Sequence, residues 1–103
     1  MNTIYTIEQI RAIVKKIAAR HNTGRLYLFG SYAQGEARLG SDLNVRVDKG
    51  GMRDLLDLGA LYADLSDAFE VPVELVTTES LSAEDLSGFA AVEILLYDPE
   101  RPR

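Results

Sequence analysis

The spacing of apolar residues divides the chain into alternating helical and strand-like stretches. Thr6-Ile7-Glu8-Gln9 has the form of a capping box, with Thr6 as N-cap and Gln9 reaching back, and Tyr5 and Ile10 sit at the staple positions. Ile7, Ile10, Ile13, Val14 and Ile17 then recur at helical spacing, with Arg11, Lys15 and Lys16 mainly on the other side. This helix is expected to stop near His21-Asn22-Thr23-Gly24, with Gly24 as its C-terminal stop. Leu26 to Phe29 is an apolar run of strand length that ends at Gly30, and residues 42 to 47 alternate polar and apolar. The composition of Asp48-Lys49-Gly50-Gly51 marks a turn, and a second helix is expected from Met52 to Phe69. Its apolar stripe is Leu55, Leu58, Tyr62, Leu65 and Phe69, with Leu61 beside them, and reads as core. Gly59 inside that stripe, at a helix cost of about 1 kcal/mol, predicts close packing against a neighbour. Val71 to Val76 is a short strand that Pro72 opens. Ser80 or Ser82 caps a short helix ended by Gly88, and Val92 to Tyr97 is a last strand or an apolar tail, stopped by Asp98-Pro99. The order helix, strand, strand, helix, strand, helix, strand predicts an α/β (α+β) fold, a small mixed β-sheet flanked by helices.

Gly30-Ser31-Tyr32-Ala33-Gln34-Gly35 followed by Ser41-Asp42-Leu43-Asn44-Val45 carries most of the chemistry. Gly30 permits a backbone angle or a close ligand approach that a side chain would block. Ser31 adds a hydroxyl and an amide beside an expected helix start, where phosphate oxygens bind readily. In the following strand, alternation places Leu43, Val45 and Val47 on one face and Asp42, Asn44 and Arg46 on the other. Positions 42 and 44 lie about 7 Å apart along the strand, so their oxygens can converge on one divalent ion. Arg46 shares that face and has two readings, contact with a triphosphate or pairing with Asp42. Glu74 is alone in a mostly apolar strand, which fits a solvated face or calls for a further reason. His21 is the only histidine, so a multi-histidine metal cluster is excluded, and it reads as a helix-end residue favouring the dipole.

These residues resemble the DNA polymerase beta-like nucleotidyltransferase superfamily, whose signature is Gly-Ser, a spacer and Asp-x-Asp. The compact form here is similar to the minimal nucleotidyltransferases, and the resemblance covers nearly the whole chain. It departs at Asn44, where the family usually has its second aspartate, and at Gln34, where it often has arginine. The resemblance implies a nucleotidyltransferase fold and a site in which Gly30 and Ser31 hold the β/γ phosphates of a nucleoside triphosphate. Asp42, position 44 and Glu74 would then be both the catalytic residues and the Mg²⁺ ligands, with Arg46 on the phosphates. Glu74 would bind the catalytic metal or take the proton from the attacking hydroxyl. Such proteins are often antitoxins that transfer AMP from ATP to a tyrosine of a HEPN-domain ribonuclease toxin.

Size and charge bound these expectations. The 103 residues are read as one minimal nucleotidyltransferase domain, 1–103, with a single core and no room for an acceptor-binding domain. The acceptor must come from a partner protein, a second subunit or a small molecule. A formal charge of −5 argues against direct nucleic-acid binding and suits a basic partner. No apolar run approaches a membrane span, the N-terminus lacks a secretory pattern, and a cytoplasmic location is the default. Zero cysteines exclude disulfides and thiolate metal sites.

Asn44 leaves three readings open. An amide keeps one carbonyl oxygen for a metal but lacks the charge and cannot bridge two ions. Losing such a group costs about 3–4 kcal/mol, or about 10²–10³ in rate. Activity then persists weakly, or the protein is a nucleotide- and partner-binding antitoxin that neutralises by contact, or Asn44 was introduced to stall turnover.

Overall fold

The computed structural model describes residues 4–90 and 92–101. Its elements follow the expected order: α1 (Ile7–Ala18), β1 (Leu26–Phe29), β2 (Leu43–Val47), α2 (Leu55–Ala68), β3 (Val73–Thr77), a 3₁₀ turn (Thr78–Ser80), α3 (Ala83–Ala90) and β4 (Ile94–Tyr97). The four strands form one mixed sheet in the order β3-β2-β1-β4. β1 is antiparallel to both β2 and β4, whereas β2 and β3 run parallel with α2 as the crossover.

α1 begins as the sequence predicts. The Thr6 hydroxyl accepts from the Gln9 amide at 3.1 Å, and Gln9 Oε1 accepts from the Thr6 amide at 2.8 Å. The regular helix ends at Ala18, earlier than expected, and the His21 amide closes one tighter turn onto the Ala18 carbonyl. Gly24 is therefore not the helix stop. Its amide bonds the Asp48 carbonyl at 3.0 Å, and a Cβ there would press on Asp48. His21 does sit at the helix end, and its Nε2 lies 2.8 Å from Asp64 of α2.

α2 starts three residues later than predicted because Asp54 captures its first free amides, accepting from Leu56 and Asp57 at 3.1 Å each. Its buried line is Leu61 and Leu65, continued by Phe69 and supported by Leu58. Leu55 and Tyr62, expected in the core, are 82% and 46% exposed, and Leu56 is 82% exposed as well. Gly59 also departs from expectation, because a Cβ there would meet nothing within 4 Å. At α3, Ser82 and Asp85 bond each other's amides as a cap, and the helix runs past Gly88 to Ala90.

α1 and α2 cover one face of the sheet. Leu26, Leu28, Leu43, Val45, Val47 and Val73 point into that core with Ile10, Val14 and Ile17 of α1. The opposite face carries Tyr27, Phe29, Asn44, Arg46 and Glu74, the polar partition expected from strand period.

Candidate active site

The candidate residues gather where the chain leaves β1 and enters β2. Phe29 pairs with Asn44 across β1 and β2, and Asn44 pairs with Glu74 across β2 and β3. One rung thus sets an amide and a carboxylate side by side on the face away from the helices. β1 delivers Gly30 and Ser31 to this end of the sheet, and Asp42 lies two residues before Asn44 on the incoming strand. The Leu43 amide bonds the Pro72 carbonyl at 2.8 Å, which fixes the phase of β3 and brings Glu74 beside Asn44.

Gly30 has φ +77°, and a Cβ on it would collide with the Asn44 amide. Both its conformation and its contact require glycine. Residues 31–35 form a turn, with the Gln34 amide on the Gly30 carbonyl at 3.1 Å and the Glu36 amide on the Ser31 carbonyl at 2.9 Å. Tyr32 anchors the turn: its ring is buried in the core and its hydroxyl accepts from the Tyr5 amide at 3.5 Å. Among the described residues no hydrogen bond engages the Ser31 hydroxyl. Asp42 and Glu74 are exposed and Asn44 is half-buried.

Arg46 is engaged within the fold. It does not pair with Asp42, and its fork is taken by Glu93, with Nε donating to Oε2 at 2.6 Å and Nη2 to Oε1 at 2.8 Å. Nη1 donates to Thr78 at 2.6 Å and to Asp48 at 3.4 Å, and the guanidinium lies 4.1 Å from the centre of the Tyr27 ring. The Glu93 bonds raise its pKa above the usual arginine value against the opposing effect of burial. Arg46 thus ties β2 to the segment after β3 and to the entrance of β4. Glu93 and Thr78 were not singled out from sequence, since nothing local marks a partner 47 residues away.

Asp42, Asn44 and Glu74 offer hard oxygen donors suited to Mg²⁺, which commonly takes one or two carboxylates and completes its shell with phosphate and water. Among the described residues no group of three or more histidine, cysteine or acidic side chains could hold a metal. The donor set fits one ion shared with a substrate phosphate and does not fit a carboxylate-bridged pair.

A Gly-Ser turn beside an acidic strand rung, on a helix-backed mixed sheet, defines a nucleotidyltransferase fold. The family model described as polymerase beta, nucleotidyltransferase matches residues 9–101, and the chain belongs to that family. It is 32% identical over 75 residues to a Methanocaldococcus jannaschii protein named "Putative protein adenylyltransferase", covering 73% of this chain and 81% of that one. A solved structure described as "putative minimal nucleotidyltransferase" superposes with TM-score 0.75 at 32% identity, over 89% of this chain and 97% of the other. A chain from the complex of tri-AMPylated Shewanella oneidensis HEPN toxin with MNT antitoxin gives TM-score 0.68 at 19% identity, over 93% and 76% of the two chains, a likeness of fold. No helix among the described residues is long and apolar enough to cross a membrane.

Proposed function

We propose that this chain, acting as one domain over residues 1–103, is a minimal nucleotidyltransferase antitoxin that transfers AMP from Mg²⁺-ATP to a tyrosine hydroxyl of a HEPN-type toxin. The observation that carries the reading is the rung Phe29–Asn44–Glu74, which brings three distant segments to one end of the sheet beside Gly30 and Ser31. The name of the M. jannaschii relative supports adenylyl transfer, and the Shewanella complex supports the class of acceptor. The supply of ATP and Mg²⁺ favours work in the cytoplasm.

In this reading the Ser31 hydroxyl and the amides of its turn hold the β/γ phosphates, where glycine at 30 lets the backbone come close. Asp42 and Glu74 would hold Mg²⁺, with the Asn44 carbonyl as a neutral third donor. Mg²⁺ held by these residues would supply neutralisation of the charge on the α-phosphate and the departing pyrophosphate. In the alternative to metal binding, Glu74 would accept the proton of the attacking hydroxyl. Arg46 is left out of the phosphate-binding set, because its donors are committed to Glu93, Thr78 and Asp48.

Radiolabelled ATP, Mg²⁺ and a purified HEPN partner test this. Labelled partner is expected, abolished by Asp42→Ala and increased by Asn44→Asp. The neutral Asn44 at the centre of the rung favours a second reading, an antitoxin that blocks its partner by contact. In that case Asp42→Ala leaves neutralisation intact and the two proteins co-purify without ATP.

A further inference from the structure

Tyr5 does more than the staple at the head of α1 requires. Its ring packs against the core and meets Phe69 edge to face, with centroids 5.1 Å apart. A phenylalanine would fill that place equally well. The hydroxyl has a separate use, because it accepts from the Glu70 amide at 2.9 Å. α2 ends at Ala68, Phe69 has turned to extended backbone, and β3 begins only at Val73, so this amide belongs to neither helix nor ladder.

The same residue reaches the other side of the candidate site. The Tyr5 amide donates to the Tyr32 hydroxyl at 3.5 Å, and Tyr32, 3% exposed, follows Ser31 directly in the turn. Tyr5 thus meets the segment after β1 through its main chain and the segment before β3 through its side chain. Just beyond Glu70, the Pro72 carbonyl accepts from the Leu43 amide at 2.8 Å, and Glu74 then pairs with Asn44. One residue outside the sheet therefore touches both the turn that carries Ser31 and the connection that leads to Glu74. The bond lengths rank the two contacts: 2.9 Å lies within the ordinary range and 3.5 Å beyond it, so the Glu70 end holds more firmly.

We propose that Tyr5 is a positioning residue of the candidate site, its hydroxyl holding the connection that sets Glu74 beside Asn44. The inference rests on the reading in which Glu74 holds Mg²⁺ beside ATP. Tyr5 acts through Glu74 and touches neither nucleotide nor ion. β3 is an edge strand, so Glu74 has a neighbouring strand on one side only. Backbone freedom at such a strand must be removed when an ion binds, and a connection already held in place lowers that cost. Tyr5→Phe isolates the effect, because the ring, the staple and the amide contact with Tyr32 all remain.

Calorimetric titration of ATP into the full chain, once with Mg²⁺ and once with EDTA, separates the two parts of the site. The metal-free affinity reports the turn, and the gain on adding Mg²⁺ reports the carboxylates. Tyr5→Phe should keep the metal-free Kd and lose about threefold to tenfold of the Mg²⁺-dependent gain, the worth of one hydrogen bond. Tyr62→Phe, which removes a hydroxyl from the exposed face of α2, should match the wild type in both. Amide exchange by NMR supplies the second measurement: the Glu70 amide should exchange faster in Tyr5→Phe, with that of Leu28 in the middle of the sheet unchanged. Loss of both affinities by the same factor overturns the proposal, since a general loosening does not distinguish carboxylates from turn. So does a Tyr5→Phe protein that keeps the full Mg²⁺ gain, or one whose Glu70 amide exchanges as slowly as before. In those cases the wild type still binds Mg²⁺-ATP and only the role of Tyr5 falls; a wild type that binds none overturns the underlying reading and this proposal together.

Discussion

Replacing Arg46 with methionine tests whether this residue is structural or belongs to the triphosphate site. The guanidinium makes four hydrogen bonds, three of them at 2.8 Å or less. Its side chain is 9% exposed and that of Glu93 is 8%. Methionine nearly matches the volume but leaves the Glu93 carboxylate buried without its partner. Removing one member of a buried pair typically costs about 3–5 kcal/mol. A domain of this size has about 5–15 kcal/mol in total, so much of its stability is at stake. At about 4–8 °C per kcal/mol the midpoint falls by roughly 12–40 °C. The assay is urea unfolding followed by circular dichroism, on Arg46→Met, Glu93→Met and the double variant. The double variant should recover most of the loss, since no charge is then left buried alone. If Arg46→Met costs under about 1 kcal/mol, the pair behaves as an exposed one and the structural assignment is wrong. If it leaves stability intact while abolishing ATP binding, Arg46 returns to the phosphates.

Further outcomes follow from the site and the fold. Asn44→Asp should raise AMP transfer by about 10²–10³, measured as initial rate at saturating Mg²⁺; no increase removes position 44 from the metal site. Ser31→Ala should weaken ATP binding by calorimetry about tenfold, the worth of one hydrogen bond to a charged phosphate, and leave the unfolding midpoint within a few degrees. Gly30→Ala should disturb both stability and nucleotide binding, because a Cβ meets the Asn44 amide at positive φ. The Asp98 carboxyl is held below its ordinary pKa, first by the Glu100 amide and then by Arg25, so its stabilising effect is complete above the unfolded carboxylate pKa and fades as pH falls through the lowered value. Asp98→Asn should flatten the acid limb of a stability-versus-pH curve.

Much of this arrangement was legible in the chain because it is local. Alternation over residues 42–47 put Asn44 and Arg46 opposite the core-facing Leu43, Val45 and Val47, and the capping box at Thr6 formed as spaced. The glycine before Ser31 announced a backbone that only glycine accepts. What the sequence concealed depends on contacts between distant segments. Arg46 found Glu93, which precedes a strand 47 residues on, and no pattern near either residue says so. In α2 the apolar residues outnumber the places facing the core, so spacing alone could not show that Leu61 and Leu65 are buried while Leu55 and Tyr62 are outside.

The exposure of the candidate site bears on how so small a transferase could work. The rung of Asn44 and Glu74 lies open on the sheet, with α1 and α2 both on the opposite face. An exposed site of this kind gains little from the low-dielectric enclosure that strengthens charge stabilisation, and Asn44 reduces its charge further. In the proposed reading the missing wall comes with the acceptor, whose docking would exclude water and seat its hydroxyl beside Glu74. Transfer should therefore depend on the intact surface of a folded acceptor protein more than on the local sequence around the target tyrosine. A short peptide carrying that tyrosine is expected to be labelled at a kcat/KM at least about 10²-fold below the folded partner, the loss expected when remote binding energy is removed. Equal labelling of peptide and folded partner would show that the open sheet face needs no such wall.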